Sequence, residues 1–110
     1  MTIDYLRAMA AFKVGAEAGD AWCQYQLGMM HYYGDGVAVD FEQARPWLEK
    51  AAAQDEPRAV GQLGVMYSEG KGVTPSWRRA RELYKRAIEM GDSQAVEAMQ
   101  TLTEDIQEVS

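Results

Sequence analysis

A spacing of 36 residues organises this 110-residue chain. Asp4-Tyr5, Asp40-Phe41 and Ser76-Trp77 fall in one register, followed in step by Ala8, Ala44 and Ala80 and by Phe12, Leu48 and Tyr84. Between them Leu27-Gly28 returns as Leu63-Gly64, and Gly34-Asp35-Gly36-Val37 returns as Gly70-Lys71-Gly72-Val73. Residues 21–56 laid on 57–92 share ten identities, from Gln26/Gln62 to Ala51/Ala87. A repeat this short cannot bury its apolar face alone, so it stacks on its neighbours. The expected class is therefore all-α, in one domain over 1–110: a half repeat (4–20), repeats at 21–56 and 57–92, and a capping helix at 93–110.

Each repeat reads as two helices. Cys23, Leu27 and Met30 lie at i, i+4 and i+7, one helical face, and Ala59, Leu63 and Met66 repeat it. Gly34 and Gly70 mark where these first helices stop, because glycine accepts the left-handed conformation that closes a last turn. Asp40 and Ser76 are N-caps for the second helices, with Gln43 placed as in a capping box. Phe41, Ala44, Leu48 and Ala51 then form the apolar face, as do Trp77, Ala80, Tyr84 and Ala87. Pro46 predicts a local kink, Pro57 fits a first turn and Pro75 precedes a cap. Residues 4–18 match only the second helix. Residues 93–109 match the first and then run on through Leu102, Ile106 and Val109, giving six helices and no strand pattern.

The net charge of −6 argues against nucleic acid and anionic membrane as partners. It is unevenly spread. Arg78, Arg79, Arg81, Lys85 and Arg86 crowd residues 77–86, whereas 89–110 holds six acids and no Lys or Arg. No apolar run approaches the roughly 20 residues that span a bilayer. Met1-Thr2-Ile3-Asp4-Tyr5 lacks a basic leader, and Cys23 is the single cysteine, so the expected address is cytoplasmic. Cys23 is expected to be a buried, inert thiol, since Ala59 and Ala95 occupy its register.

Little in the chain suggests chemistry. Each Gly-x-Gly follows a helix, whereas a phosphate loop follows a strand and precedes a helix N-terminus. His31, with Asp35 four residues on, could form an acid–base couple, but no nucleophile completes it. The packed, half-buried reading of His31 is preferred. Cys23 and His31 are too few for zinc. No catalytic residue, cofactor or metal is expected.

The pattern Leu-Gly-x-x-(Tyr)-x-x-Gly-x-Gly-Val, then Asp-(Phe/Trp)-x-x-Ala, resembles the Sel-one-like repeat family, relatives of the tetratricopeptide repeats. It is carried by Leu27, Gly28, Gly34, Gly36, Val37, Asp40, Phe41 and Ala44, and again by Leu63, Gly64, Tyr67, Gly70, Gly72, Val73, Trp77 and Ala80. His31 departs from the tyrosine and Ser76 from the aspartate. The resemblance implies a short right-handed α-solenoid of antiparallel helix pairs that acts as a bacterial adaptor or scaffold, binding another protein. It also implies a concave groove lined by Trp22, Tyr25, Met29, Tyr32 and Tyr33 in the first repeat. In the second the equivalents are Arg58, Gly61, Val65, Ser68 and Glu69, and in the last helix Gln94, Glu97, Thr101, Glu104 and Asp105. Of these, Trp22, Tyr25, Met29, Tyr32, Tyr33, Arg58, Glu69 and Glu97 are the expected partner-binding residues. Trp22, Tyr32 and Tyr33 are the expected anchors. A homo-oligomer built through Tyr5, Leu6 and Met9 or Ile106 and Val109, an immunity-type inhibitor of a toxin, and remotely a hydrolase are the other readings.

Overall fold

The computed structural model describes residues 4–109, with side chains described through 106. Met1, Thr2 and Ile3, and the side chains of Glu108 and Val109, lie outside the described residues. Among the described residues there are six helices: α1 (Tyr5–Glu17), α2 (Ala21–Tyr33), α3 (Phe41–Ala53), α4 (Pro57–Glu69), α5 (Trp77–Glu89) and α6 (Ser93–Val109). The chain divides into two compact units, Met1–Glu56 and Pro57–Ser110, and the division falls where the second repeat begins. None of the helices is long and apolar enough to cross a membrane.

The N-caps expected at Asp40 and Ser76 are present, and Asp4 and Asp20 cap α1 and α2 in the same way. Asp4, Asp20, Asp40 and Ser76 accept the N–H of the residue three positions on, at 2.8–3.2 Å. Gln43 does not complete a capping box. Its Nε2 donates to the Asp40 carboxylate at 2.9 Å, because the Asp40 N–H is already spent on the His31 carbonyl. Gly34 closes α2 with φ 75°, and the N–H groups of Gly34 and Asp35 both donate to the Met30 carbonyl. A second closure, not read from the sequence, ends α1, α3 and α5. Asp20, Glu56 and Asp92 donate to the carbonyls of Gly15, Ala51 and Ala87, with Gly19, Asp55 and Gly91 at positive φ in matching register. That pairing is the Schellman geometry. Pro57 opens α4 as expected, and α3 runs unbroken through Pro46.

Antiparallel pairing within each unit is legible in the contacts. In unit 1 Asp40 meets His31, Leu48 lies over Gly28, and Gln54 bonds Gln24. In unit 2 Ser76 meets Tyr67, Tyr84 lies over Gly64, and Asp92 reaches Gly61. The glycines let the second helix approach: a Cβ on Gly28 would stand 2.8 Å from Leu48 Cγ. Leu27, Ala44, Leu48 and Ala51 form the core of unit 1, and Val60, Met66, Ala80, Tyr84 and Ala87 that of unit 2. Buried Gln24 donates to the Ala16 carbonyl (3.1 Å) and accepts from Gln54 (2.9 Å), joining α1, α2 and the end of α3. In register with this polar pair, unit 2 has Val60 and Met90.

Two predictions arise here. Ser76→Ala removes the acceptor for the Arg79 N–H and is expected to lower stability by about 0.5–2 kcal/mol in urea unfolding. The Cys23 N–H holds the Asp20 carboxyl below its ordinary value. Hydrogen bonds from Gln43, side chain first, do so for Asp40. A depressed folded value contributes stability above the unfolded value, and that stability is lost as pH falls through the folded one. Asn also caps but does not titrate, so Asp20→Asn/Asp40→Asn should flatten the loss of urea midpoint on acidification. An unchanged acid limb would contradict this.

Candidate protein-binding cleft

In unit 2 the three helices leave an open cleft of about 620 Å³. From α4 it takes Val65, Ser68 and Glu69; from α5, Trp77 and Tyr84. One side of α6, Ala98, Thr101, Leu102, Asp105 and Ile106, completes it. Ala98 to Ile106 spans about 12 Å of helix axis at 1.5 Å per residue, two turns. Val65, Trp77, Ala98, Leu102 and Ile106 make the lining mainly apolar. The Trp77 side is open, the residue being 48% exposed with the Arg78 guanidinium 5.7 Å from its ring centre.

Three exchanges between the repeats shape the lining of the cleft. Where unit 1 has Tyr32 and Tyr33, unit 2 has Ser68 and Glu69. The small Ser68 leaves room for the Tyr84 ring, whose hydroxyl lies 3.4 Å from Ser68 Oγ, where unit 1 has Leu48. Ser68 Oγ also contacts the Val65 carbonyl at 3.1 Å, and Thr101 Oγ1 donates to that of Glu97 at 3.1 Å. These hydroxyls are thus engaged locally, with helix carbonyls and the Tyr84 hydroxyl.

The expected anchors fare differently. Trp22 and Tyr33 are exposed, at 46% and 62%. Trp22 makes an edge contact with Phe12, their ring centres 5.4 Å apart. Tyr32 is a correction. It is 6% exposed, wedged at 5.1 Å from both Tyr33 and Phe41, so α3 seals it and it cannot anchor a partner. Tyr25 and Met29 are half-buried; Arg58, Glu69 and Glu97 are exposed. Of those eight residues only Glu69 lines the cleft, joined by Val65, Ser68, Thr101 and Asp105 from the wider groove set. Gly61 is buried under Asp92 instead. Trp77, Tyr84, Leu102 and Ile106 were read as packing faces, and their part in the cleft was missed.

His31 is half-buried as expected, and its Nδ1 is buried without a hydrogen-bond partner, so Asp35 does not hold it as a base through that nitrogen. Cys23 is half-buried, not fully buried, with its Sγ against Gly15. Desolvation first, then the Asp20 carboxylate, push its thiol up and keep it protonated at neutral pH. Among the described residues no group of acids, His and Cys is arranged to hold a metal ion.

The Sel1 repeat profile matches residues 23–56 and 57–92. The chain belongs to the Sel1 repeat family. A Sel1 repeat protein from Oxalobacter formigenes shares 28% identity and a TM-score of 0.83 over 93% of this chain. The protective antigen c5321 of uropathogenic Escherichia coli, which displays an SLR fold, shares 36% identity and a TM-score of 0.84 over 90%. The match covers 42% of the first relative's length and 21% of the second's. Helicobacter pylori cysteine rich protein B, at 21% identity and a TM-score of 0.79 over 87% of this chain and 72% of its own, shows the same fold. No curated protein is matched significantly by sequence. These likenesses place the Sel1 repeats here in the all-α solenoid class, a family whose members act generally as protein–protein interaction modules.

Proposed function

We propose that this chain is a non-enzymatic interaction module that seats a segment of a partner protein in the α4–α5–α6 cleft. The observation that carries the reading is the apolar, two-turn cleft itself, open to solvent beside a half-exposed tryptophan. Its volume and lining are those of a binding site, and tryptophan at such a rim buries much area at little rotamer cost. Trp22 and Tyr33 offer exposed rings on unit 1 for contacts of the same kind. The reading keeps the module cytoplasmic, on the strength of a lone unpaired cysteine, and directs it to protein rather than nucleic acid or membrane on the strength of its acidic balance. Affinity capture from the native host lysate with mass spectrometry tests it. Trp77→Ala should stay folded and lose the partner; equal recovery of that partner would reject the cleft.

One observation favours self-association as a second reading. Leu6, Ala10 and Val14 form an exposed stripe on α1, with Leu6 71% and Val14 72% exposed. In the same register α3 carries Glu42, Pro46 and Lys50, and α5 carries Arg78, Glu82 and Arg86. If the stripe is an interface between copies, light scattering will show a concentration-dependent mass that Leu6→Glu/Val14→Glu abolishes. A constant monomer mass rules it out.

A further inference from the structure

The charge of the cleft says more about its occupant, an inference that rests on the reading above. Its two charged lining side chains, Glu69 and Asp105, are both acids. They stand 36 residues apart, at the same register of α4 and α6, and so mark one end of the cleft. Glu69 is the last residue of α4, at the negative end of the helix dipole. Through α6 the chain has no Lys or Arg, while Glu97 and Glu104 lie exposed on that helix. Asp105 has no ion-pair partner among the described residues. Two cations stand near the rim. Lys71 pairs with Glu69 at 2.9 Å, but both side chains are nearly half exposed, and a solvated pair of this kind is weak. Arg78 lies over the Trp77 ring. Neither lines the cleft.

We infer that the cleft takes an amphipathic helix of a partner protein whose apolar side chains, at i and i+3 or i+4, are followed within a turn by Lys or Arg. The apolar residues would lie on Val65, Leu102 and Ile106 beside Trp77. The cation would reach the Glu69–Asp105 end, where desolvation on docking strengthens its attraction to the two carboxylates. The two-turn extent of the α6 wall matches two anchors of a helix laid along it. This chain carries one such helix itself, because α1 has Leu6, Ala10 and Val14 with Arg7 and Lys13. The test must therefore separate a foreign partner from a second copy.

The probe is a phage-displayed library of helix-forming 16-residue peptides, selected on the wild type, on Glu69→Lys/Asp105→Lys and on Trp77→Ala. Circular dichroism confirms that each variant is folded. Wild type should enrich apolar pairs flanked by Lys or Arg. A winning peptide should bind the charge-reversed variant about 10- to 100-fold more weakly and lose affinity with salt. Trp77→Ala should lose it as well. Enriched peptides that need Trp77 but carry no cationic bias would overturn this inference and leave the cleft reading standing. Peptides indifferent to both Trp77 and the acids would end both. A wild-type dimer in light scattering that the charge reversal dissolves would assign the cleft to a second copy and overturn the foreign helix.

Discussion

Leu48→Ala is expected to lower the stability of unit 1 by about 2–5 kcal/mol. Leu48 is 0% exposed and sits directly over Gly28, where no side chain faces it across the helix pair. Truncation leaves a cavity bounded by helix backbone on one side, which cannot collapse without breaking the Gly28–Ala44 approach. A domain of this size has only about 5–15 kcal/mol in total, so the variant should unfold at much lower urea. A change below about 1 kcal/mol would mean that the α2–α3 contact is loose and that the packing described for unit 1 is wrong.

Gly64→Val tests the same contact in unit 2 from the opposite direction. A Cβ there would stand 2.6 Å from Tyr84 Cε1 and 2.7 Å from Cδ1, and the 2%-exposed ring could yield only by leaving its packed position against α4. Overpacking of this kind costs about 1–3 kcal/mol, and a β-branched residue gains little helix propensity over glycine to offset it. Tyr84→Ala removes the ring that clashes; leucine would not serve, since in unit 1 a Cβ on Gly28 would stand 2.8 Å from Leu48 Cγ. The double variant Gly64→Val/Tyr84→Ala should therefore be more stable than the sum of the two single changes allows. Strict additivity in urea unfolding would show that the ring and the glycine do not touch.

These two contacts mark how far the sequence could be read. The 36-residue register, the Asp and Ser caps and the Gly34 and Gly70 stops are local signals, each set by backbone chemistry within one turn. They put the starts of α3 and α5 and both ends of α2 and α4 within a residue of where they lie. The closure at Gly19, Asp55 and Gly91 was equally local but was overlooked, because aspartate at 55 breaks the glycine pattern. Exposure was not legible. Tyr32 and Tyr33 are neighbours in sequence and were assigned to one groove, yet 100° of helix rotation separates them and Phe41 from α3 covers only the first. Gln24 carried no signal at all, since its partners, Ala16 and Gln54, come from other helices. The cleft depends on a non-local exchange, Tyr32 for Ser68 together with Leu48 for Tyr84. Its meaning appears only when the two positions are seen to touch.

Hydrogen exchange on the complex with the captured partner addresses the central claim most directly. Docking in the cleft predicts slowed exchange over the last turns of α4, the start of α5 and residues 98–106 of α6, abolished together with binding in Trp77→Ala. Protection confined to the neighbourhood of Trp22 and Tyr33, with residues 98–106 exchanging as in the free chain, would contradict it.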